Sequence, residues 1–116
     1  LNKVANSLQQ LIDSDVGLVK VACYNKEIVG AIAAVAMELP INDLICTQEL
    51  MLWLDPEHRN GKTAPKLIDA YVEWAKGLGC DYARLSALDC VLDGRAGVLF
   101  KRKGFKPIET AYIKEL

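Results

Sequence analysis

The sequence predicts an α/β fold of the α+β kind: a mixed, mostly antiparallel sheet of about six strands flanked by helices. Three observations predict it. Apolar runs over residues 16–24, 27–39 and 44–54 are separated by turn signals, Asn25-Lys26 and Pro40-Ile41-Asn42-Asp43, as in an antiparallel meander. Leu67, Ile68, Tyr71, Val72, Ala75 and Leu78 then recur at helical spacing. A further strand run follows, DYARLSAL over residues 81–88, and strand–helix–strand implies a parallel neighbour reached by a right-handed crossover.

Taken in order, Leu1, Val4, Ala5, Leu8, Leu11 and Ile12 share one face of an opening helix, which Asp13-Ser14-Asp15 ends. Residues 16–24 are apolar on both faces, and Asn25-Lys26 makes a hairpin to the next run. That run, EIVGAIAAVAMEL, has alanines that suit a helix by propensity, but the tight turn before it selects a strand. The third strand, residues 44–54, stops at Asp55-Pro56, because proline has a fixed φ and no N–H for a ladder. Arg59-Asn60-Gly61-Lys62-Thr63-Ala64 forms a polar loop, and Pro65 fits the first turn of the helix that begins near Ala64. Gly77 and Gly79 offer C-terminal stops. Asp93 is an N-cap for a last helix carrying Ala96, Leu99, Phe100 and Lys103, which Gly104 ends. Residues 106–116 read as a last strand, with Ile108, Ala111 and Ile113 as its apolar positions.

A chain of 116 residues argues for one domain, 1–116, with enough sequence for its own core. A net charge of −1 and a pI of about 5.8 leave no basic field for nucleic acid. No apolar run reaches the roughly 18 residues of a membrane helix. Polar residues interrupt LNKVANSLQQL, unlike the apolar region of a secretory signal. The four cysteines, Cys23, Cys46, Cys80 and Cys90, form no C-x-x-C pair, and His58 is the lone histidine. They read as reduced thiols of a cytoplasmic protein that needs no metal.

Two features carry chemistry. Glu49 lies in an otherwise apolar strand, TQELMLWL, where a carboxylate costs stability unless it faces water or a partner. A solvent-facing edge and a functional carboxylate both satisfy that condition. The loop at residues 59–64 brings small residues and Lys/Arg to a helix start, where N–H groups and the dipole favour an anion. A solvated turn is the competing reading. Trp53 reads as a core aromatic, His58 as a turn residue and Lys101-Arg102-Lys103 as a solvated helix C-terminus.

The loop segment, LDPEHRNGKTA, resembles the acetyl-CoA-binding motif of the GNAT N-acetyltransferases, R/Q-x-x-G-x-G/A after a strand ending V-x-P. Arg59 stands first and Ala64 last. Lys62 stands where the family has glycine, and Gly61 comes one residue early. Downstream, DGRAGVLFKRKGF resembles the family's N-x-x-A-x-x-L-Y-x-x-x-G-F. Ala96, Leu99, Gly104 and Phe105 are in register, with Asp93 for Asn and Phe100 for Tyr. The resemblance implies the GNAT-like acyl-CoA N-acyltransferase fold, whose meander leads to two diverging strands with the cofactor's pantetheine arm in the gap. It also implies transfer of an acetyl group from acetyl-CoA to a primary amine by direct attack, without metal.

Carried over residue by residue, Arg59, Asn60, Gly61, Lys62, Thr63 and Ala64 become the pyrophosphate cradle. Leu52, Trp53 and Leu54 pair by backbone with the pantetheine. Asp93 and Phe100 hold the cofactor positions of the second motif, and Lys101 meets the 3′-phosphate. Glu49 lies at the family's distance before Arg59 and becomes the general base. The family's proton donor to the thiolate is the tyrosine replaced here by Phe100, so Tyr112, Ser86, Cys90 or water remain, with Tyr112 foremost. The missing tyrosine and displaced glycine also fit a module that kept the fold, lost the chemistry and binds acyl-CoA or a protein partner. Glu38, Asp43, Glu49 and Asp89 would favour a cationic amine, small or on a protein, and homodimers are common in such families. Family domains begin with a further strand and helix, so the chain is either a compact variant or trimmed.

Overall fold

The computed structural model describes residues 2–39, 44–59, 61–86 and 95–116. The chain divides into two compact units, Leu1–Ser86 and Ala87–Leu116. The first contains helix α1 (Asn2–Asp13), strands β1 (Gly17–Tyr24), β2 (Glu27–Leu39) and β3 (Leu44–Leu54), a 3-10 turn at Pro56–His58, helix α2 (Thr63–Gly77) and strand β4 (Tyr82–Arg84). Among the described residues no helix is long and apolar enough to cross a membrane.

The sheet runs in the order β1-β2-β3-β4. The first three strands form an antiparallel meander, and β4 lies parallel to β3. Asn25 and Lys26 have φ of 50° and 67°. Two successive positive values make a tight hairpin turn whose twist suits the flanking strands. That turn commits the alanine-rich run to a strand. Alternation then sends Ala31 and Ala33 to one face and Ile32 and Ala34 to the other. Ile32 and Ala34 pack with Leu67 and Tyr71 of α2, and Leu18, Ala22, Leu52, Leu54 and Trp74 close around them. Helix α1 rests on β1 and β2.

Two features of β2 and β3 bear on the site. Gly30 sits between Ala22 and Leu54, and a Cβ there would meet Leu54 Cδ2 at 2.7 Å and the Trp53 carbonyl oxygen at 3.0 Å. Only glycine lets the end of β3 lie this close. In β3, Ala33 pairs with Met51 but Ala34 pairs with Glu49, so Leu50 is an extra residue. Such a bulge shifts the alternation by one. Glu49 and Leu52, three apart in sequence, therefore both pair with the α2-facing residues Ala34 and Ile32.

Helix α2 starts at Thr63, and Gly79, at φ 75°, supplies its stop. The Cys80 N–H donates to the Ala75 carbonyl at 3.2 Å, the six-to-one bond of a Schellman turn. In the second unit, α3 (Arg95–Arg102) ends in the same way, with Gly104 at φ 88° and the Phe105 N–H on the Phe100 carbonyl at 3.0 Å. The Phe100 and Phe105 rings lie 6.3 Å apart.

Among the described residues the sheet shows four of the about six strands expected. Two strand expectations are corrected. The strand expected over 81–88 pairs only at Tyr82–Arg84, because β4 leaves β3 after the Gln48–Arg84 pair; residues 87 and 88 lie outside the described set. Residues 106–116 carry no strand, and Ile108, Tyr112 and Ile113 are exposed. Scattered apolar residues make a strand only where a neighbour accepts the ladder, so pattern alone overstated this segment.

Gly30→Ala should destabilise the first unit by about 1–3 kcal/mol in urea unfolding, because the Trp53 carbonyl is backbone and cannot step aside. Ile68→Ala, at a fully buried site of α2, should cost about 2–5 kcal/mol by the same measurement.

Candidate active site

The site is a fork. β3 and β4 pair at Cys46–Tyr82, Thr47–Ala83 and Gln48–Arg84, and then separate. Side chains take over where the ladder stops. The Tyr71 hydroxyl, fully buried on α2, accepts from the Thr47 hydroxyl at 2.8 Å and from the Arg84 N–H at 3.1 Å. It donates to the Arg84 carbonyl at 2.7 Å. One donor and two lone pairs are all a phenol has, and all three are used. Burial pushes the Tyr71 phenol up to about 12, against the pull of the Thr47 and Arg84 bonds, with the Glu49 and Cys46 charges adding to the rise. The hydroxyl is therefore a fixed neutral donor.

One step along, the Ser86 N–H donates to Glu49 Oε1 at 3.1 Å. The bulge at Leu50 brings Glu49 to the α2 face, where it is only 8% exposed. Burial raises its carboxyl above the ordinary range, and the Ser86 N–H offsets part of that rise. Gln48 points the other way from the same strand. Its Nε2 donates to the Glu49 carbonyl at 2.9 Å and to Ser86 Oγ at 3.1 Å. The fork thus holds a buried carboxylate of raised basicity against a strand end whose amides are bonded by side chains.

Beyond Gln48 the edge of β3 away from β2 has no β4 partner. Leu52, Trp53 and Leu54 lie on this stretch. Trp53, expected in the core, is 42% exposed. Among the described residues no strand pairs with this edge, and such an edge offers amide and carbonyl groups to an extended ligand. The strand end is braced: Arg59 Nε donates to the Leu54 carbonyl at 3.1 Å, the Glu57 N–H bonds Asp55 Oδ1 at 3.3 Å, and the His58 ring lies 5.2 Å from that of Tyr24. Gly61 turns the loop with φ 81°.

Helix α2 then begins without a side-chain cap. Its opening N–H groups at Thr63 and Ala64 have no intrahelical acceptor, and Pro65 has no N–H to offer. With Arg59, Gly61 and Lys62 exposed around them, these groups can hold an anion. Asn60 lies outside the described residues.

The expected residues divide by unit. Glu49, Leu52, Trp53, Leu54, Arg59, Gly61, Lys62, Thr63 and Ala64 all belong to the first unit, on consecutive elements. In the second, Phe100 is buried, Lys101 is exposed and Asp93 lies outside the described residues. Tyr112, expected on a strand, is 93% exposed in a segment without one. Sequence reasoning missed Thr47 and Gln48, and it counted Tyr71 only as a core residue. The available signal was a tyrosine on a helix face otherwise made of Leu, Ile, Val and Ala, since a buried phenol needs partners.

A profile of the acetyltransferase (GNAT) family matches residues 4–105. No curated protein matches the sequence. Among solved structures, a transcriptional regulator from Bacillus halodurans C-125 aligns over 100% of this chain and 77% of its own, at 18% identity and TM-score 0.85. An aminoglycoside acetyltransferase from an uncultured soil metagenomic sample aligns over 96% of this chain and 73% of its own, at 21% identity and TM-score 0.79. A ribosomal-protein-alanine N-acetyltransferase from Brucella melitensis biovar Abortus 2308 covers 96% and 79%, at 19% identity and TM-score 0.74. At these identities the likeness is one of fold.

Two predictions follow from the fork. Tyr71→Phe removes three hydrogen bonds and strands Thr47 and Arg84, so urea unfolding should show a loss of about 2–4 kcal/mol. Because the folded state raises the Glu49 pKa, wild-type stability should fall as pH climbs from the unfolded value of 4.5 through the folded one. Glu49→Gln should therefore have the higher Tm at neutral pH, and the difference should vanish below pH 4.5. A Tm difference independent of pH would contradict the assigned burial.

Proposed function

The chain belongs to the GNAT acetyltransferase family, and we propose that it transfers an acetyl group from acetyl-CoA to a primary amine by direct attack. The observation that carries this reading is Glu49, a buried carboxylate of raised basicity at the point where β3 loses its neighbour. An ammonium group must lose a proton before it can attack a thioester, and a carboxylate whose pKa is raised accepts one more readily. Glu49 is the base in this proposal.

The stretch of β3 over Leu52, Trp53 and Leu54, with which no described strand pairs on the side away from β2, takes the amide-bearing pantetheine arm as a strand would. Backbone N–H groups along the same edge supply donors for the thioester oxygen as charge builds there. The pyrophosphate lies over Arg59 to Ala64, at the uncapped start of α2. Arg59 braces Leu54 through Nε, and in this proposal its terminal nitrogens meet a phosphate. Asp93 and Phe100 keep the cofactor positions of the second motif in this proposal, and Lys101 meets the 3′-phosphate. Two structural neighbours are named for acetyl transfer to an aminoglycoside and to a ribosomal protein's alanine. Both names suit a cationic amine acceptor, and a buried carboxylate favours one too. The proposed location is the cytoplasm, where acetyl-CoA is available.

Phe100 favours a second reading. Its buried ring carries no hydroxyl, as expected if the chain binds acyl-CoA or a protein partner without chemistry. Thiol release from acetyl-CoA, with kanamycin, spermidine and an alanine-ended peptide as acceptors, separates the two. Release above the hydrolysis rate is expected with at least one amine; binding of CoA without release would support the inert module.

On the best acceptor, Glu49→Gln should lower turnover at pH 7 on the order of a hundredfold, and the gap should narrow at higher pH as more amine is already neutral. A wild-type rate in that variant would rule out Glu49 as the base. Ala64→Glu should abolish CoA binding, measured by calorimetry, while leaving Tm within a few degrees of wild type.

A further inference from the structure

By the motif resemblance, the tyrosine that family members often use to protonate the departing thiolate is replaced here by Phe100, which has no hydroxyl. Another hydroxyl is built into the fork. Gln48 Nε2 lies 2.9 Å from the Glu49 carbonyl, which can only accept, so the amide must present its NH2 group there. The same nitrogen lies 3.1 Å from Ser86 Oγ. Ser86 Oγ is thereby an acceptor towards Gln48, and its own proton has to point elsewhere. The Ser86 backbone N–H meanwhile donates to Glu49 Oε1 at 3.1 Å. One residue thus ties the base in place through its backbone and presents a directed O–H donor through its side chain. Ser86 is exposed, so a ligand can reach that hydroxyl.

Resting on the acyl-transfer reading above, we propose that the Ser86 hydroxyl donates a hydrogen bond to the thioester sulfur as it leaves. The amine nitrogen bonds to the carbonyl carbon, the C–S bond breaks, and its electron pair stays on sulfur. Ser86 keeps its proton, because a serine hydroxyl is a far weaker acid than a thiol, and it stabilises the thiolate by donation alone. Of the two protons the ammonium gives up, Glu49 takes the first and solvent the second. The thiolate is protonated from solvent, so the net change is ammonium plus thioester to amide, thiol and one proton.

The test needs no acceptor. Free CoA is bound to the folded protein, and its thiol is titrated by the ultraviolet absorbance of the thiolate. A hydrogen bond to the charged form lowers a pKa, so the bound thiol should be more acidic in the wild type than in Ser86→Ala. The expected difference is about one pKa unit, tenfold in the acidity constant. Ser86→Thr, which keeps a hydroxyl, should restore it. Alanine retains the backbone N–H, so Glu49 keeps its bond and the base is undisturbed. In thiol release, Ser86→Ala should lower kcat about tenfold with little change in the KM of the amine. An unchanged thiol pKa in a Ser86→Ala protein that binds CoA overturns the proposal. CoA that fails to bind the wild type overturns the acyl-transfer reading and this proposal with it. A Ser86-dependent thiol shift without release to any amine supports the sulfur contact and overturns the transfer reading alone.

Discussion

The Tyr71 hydroxyl is the interaction on which the site depends. It joins α2, β3 and β4 at one atom, through Thr47 on one strand and both backbone groups of Arg84 on the other. A strand that leaves its neighbour exposes amides that must bond to something, because an unpaired buried amide costs about 1–3 kcal/mol. Tyr71 supplies that bond at Arg84, and Glu49 supplies it at Ser86. The parting of β3 and β4 is therefore a satisfied arrangement and not a frayed end.

The bulge at Leu50 gives Glu49 its environment. In an unbroken strand Glu49 and Leu52 would face opposite sides. With Leu50 as an extra residue both face α2, and the carboxylate enters a setting that raises its basicity. The irregularity and the functional group are adjacent in sequence, in keeping with the tendency of bulges to re-aim side chains beside active sites. Gly30 contributes from β2 by letting the end of β3 lie close, and the Arg59 bond to Leu54 fixes the path into the loop before α2. The fork and the uncapped helix start are thus two ends of one continuous stretch, β3 to α2.

Local chemistry fixed what the sequence alone determined. Asn25-Lys26 set the hairpin, Asp55-Pro56 ended β3 and Gly79 stopped α2, because each acts through the φ or the N–H of its own residue. The bounds of β2 and β3 and the order of strand, loop and helix were legible for the same reason. So was membership of the family, carried by Arg59, Ala64 and the motif around Phe100. Only the tertiary structure decided the rest. Whether Glu49 faced water or a partner depended on a register shift against β2, which no periodicity in β3 records. The roles of Tyr71, Thr47 and Gln48 depended on bonds between residues up to 38 apart in sequence. The last strand failed as an expectation because a strand is a property of its neighbours as much as of its own residues, and among the described residues none pairs with 106–116.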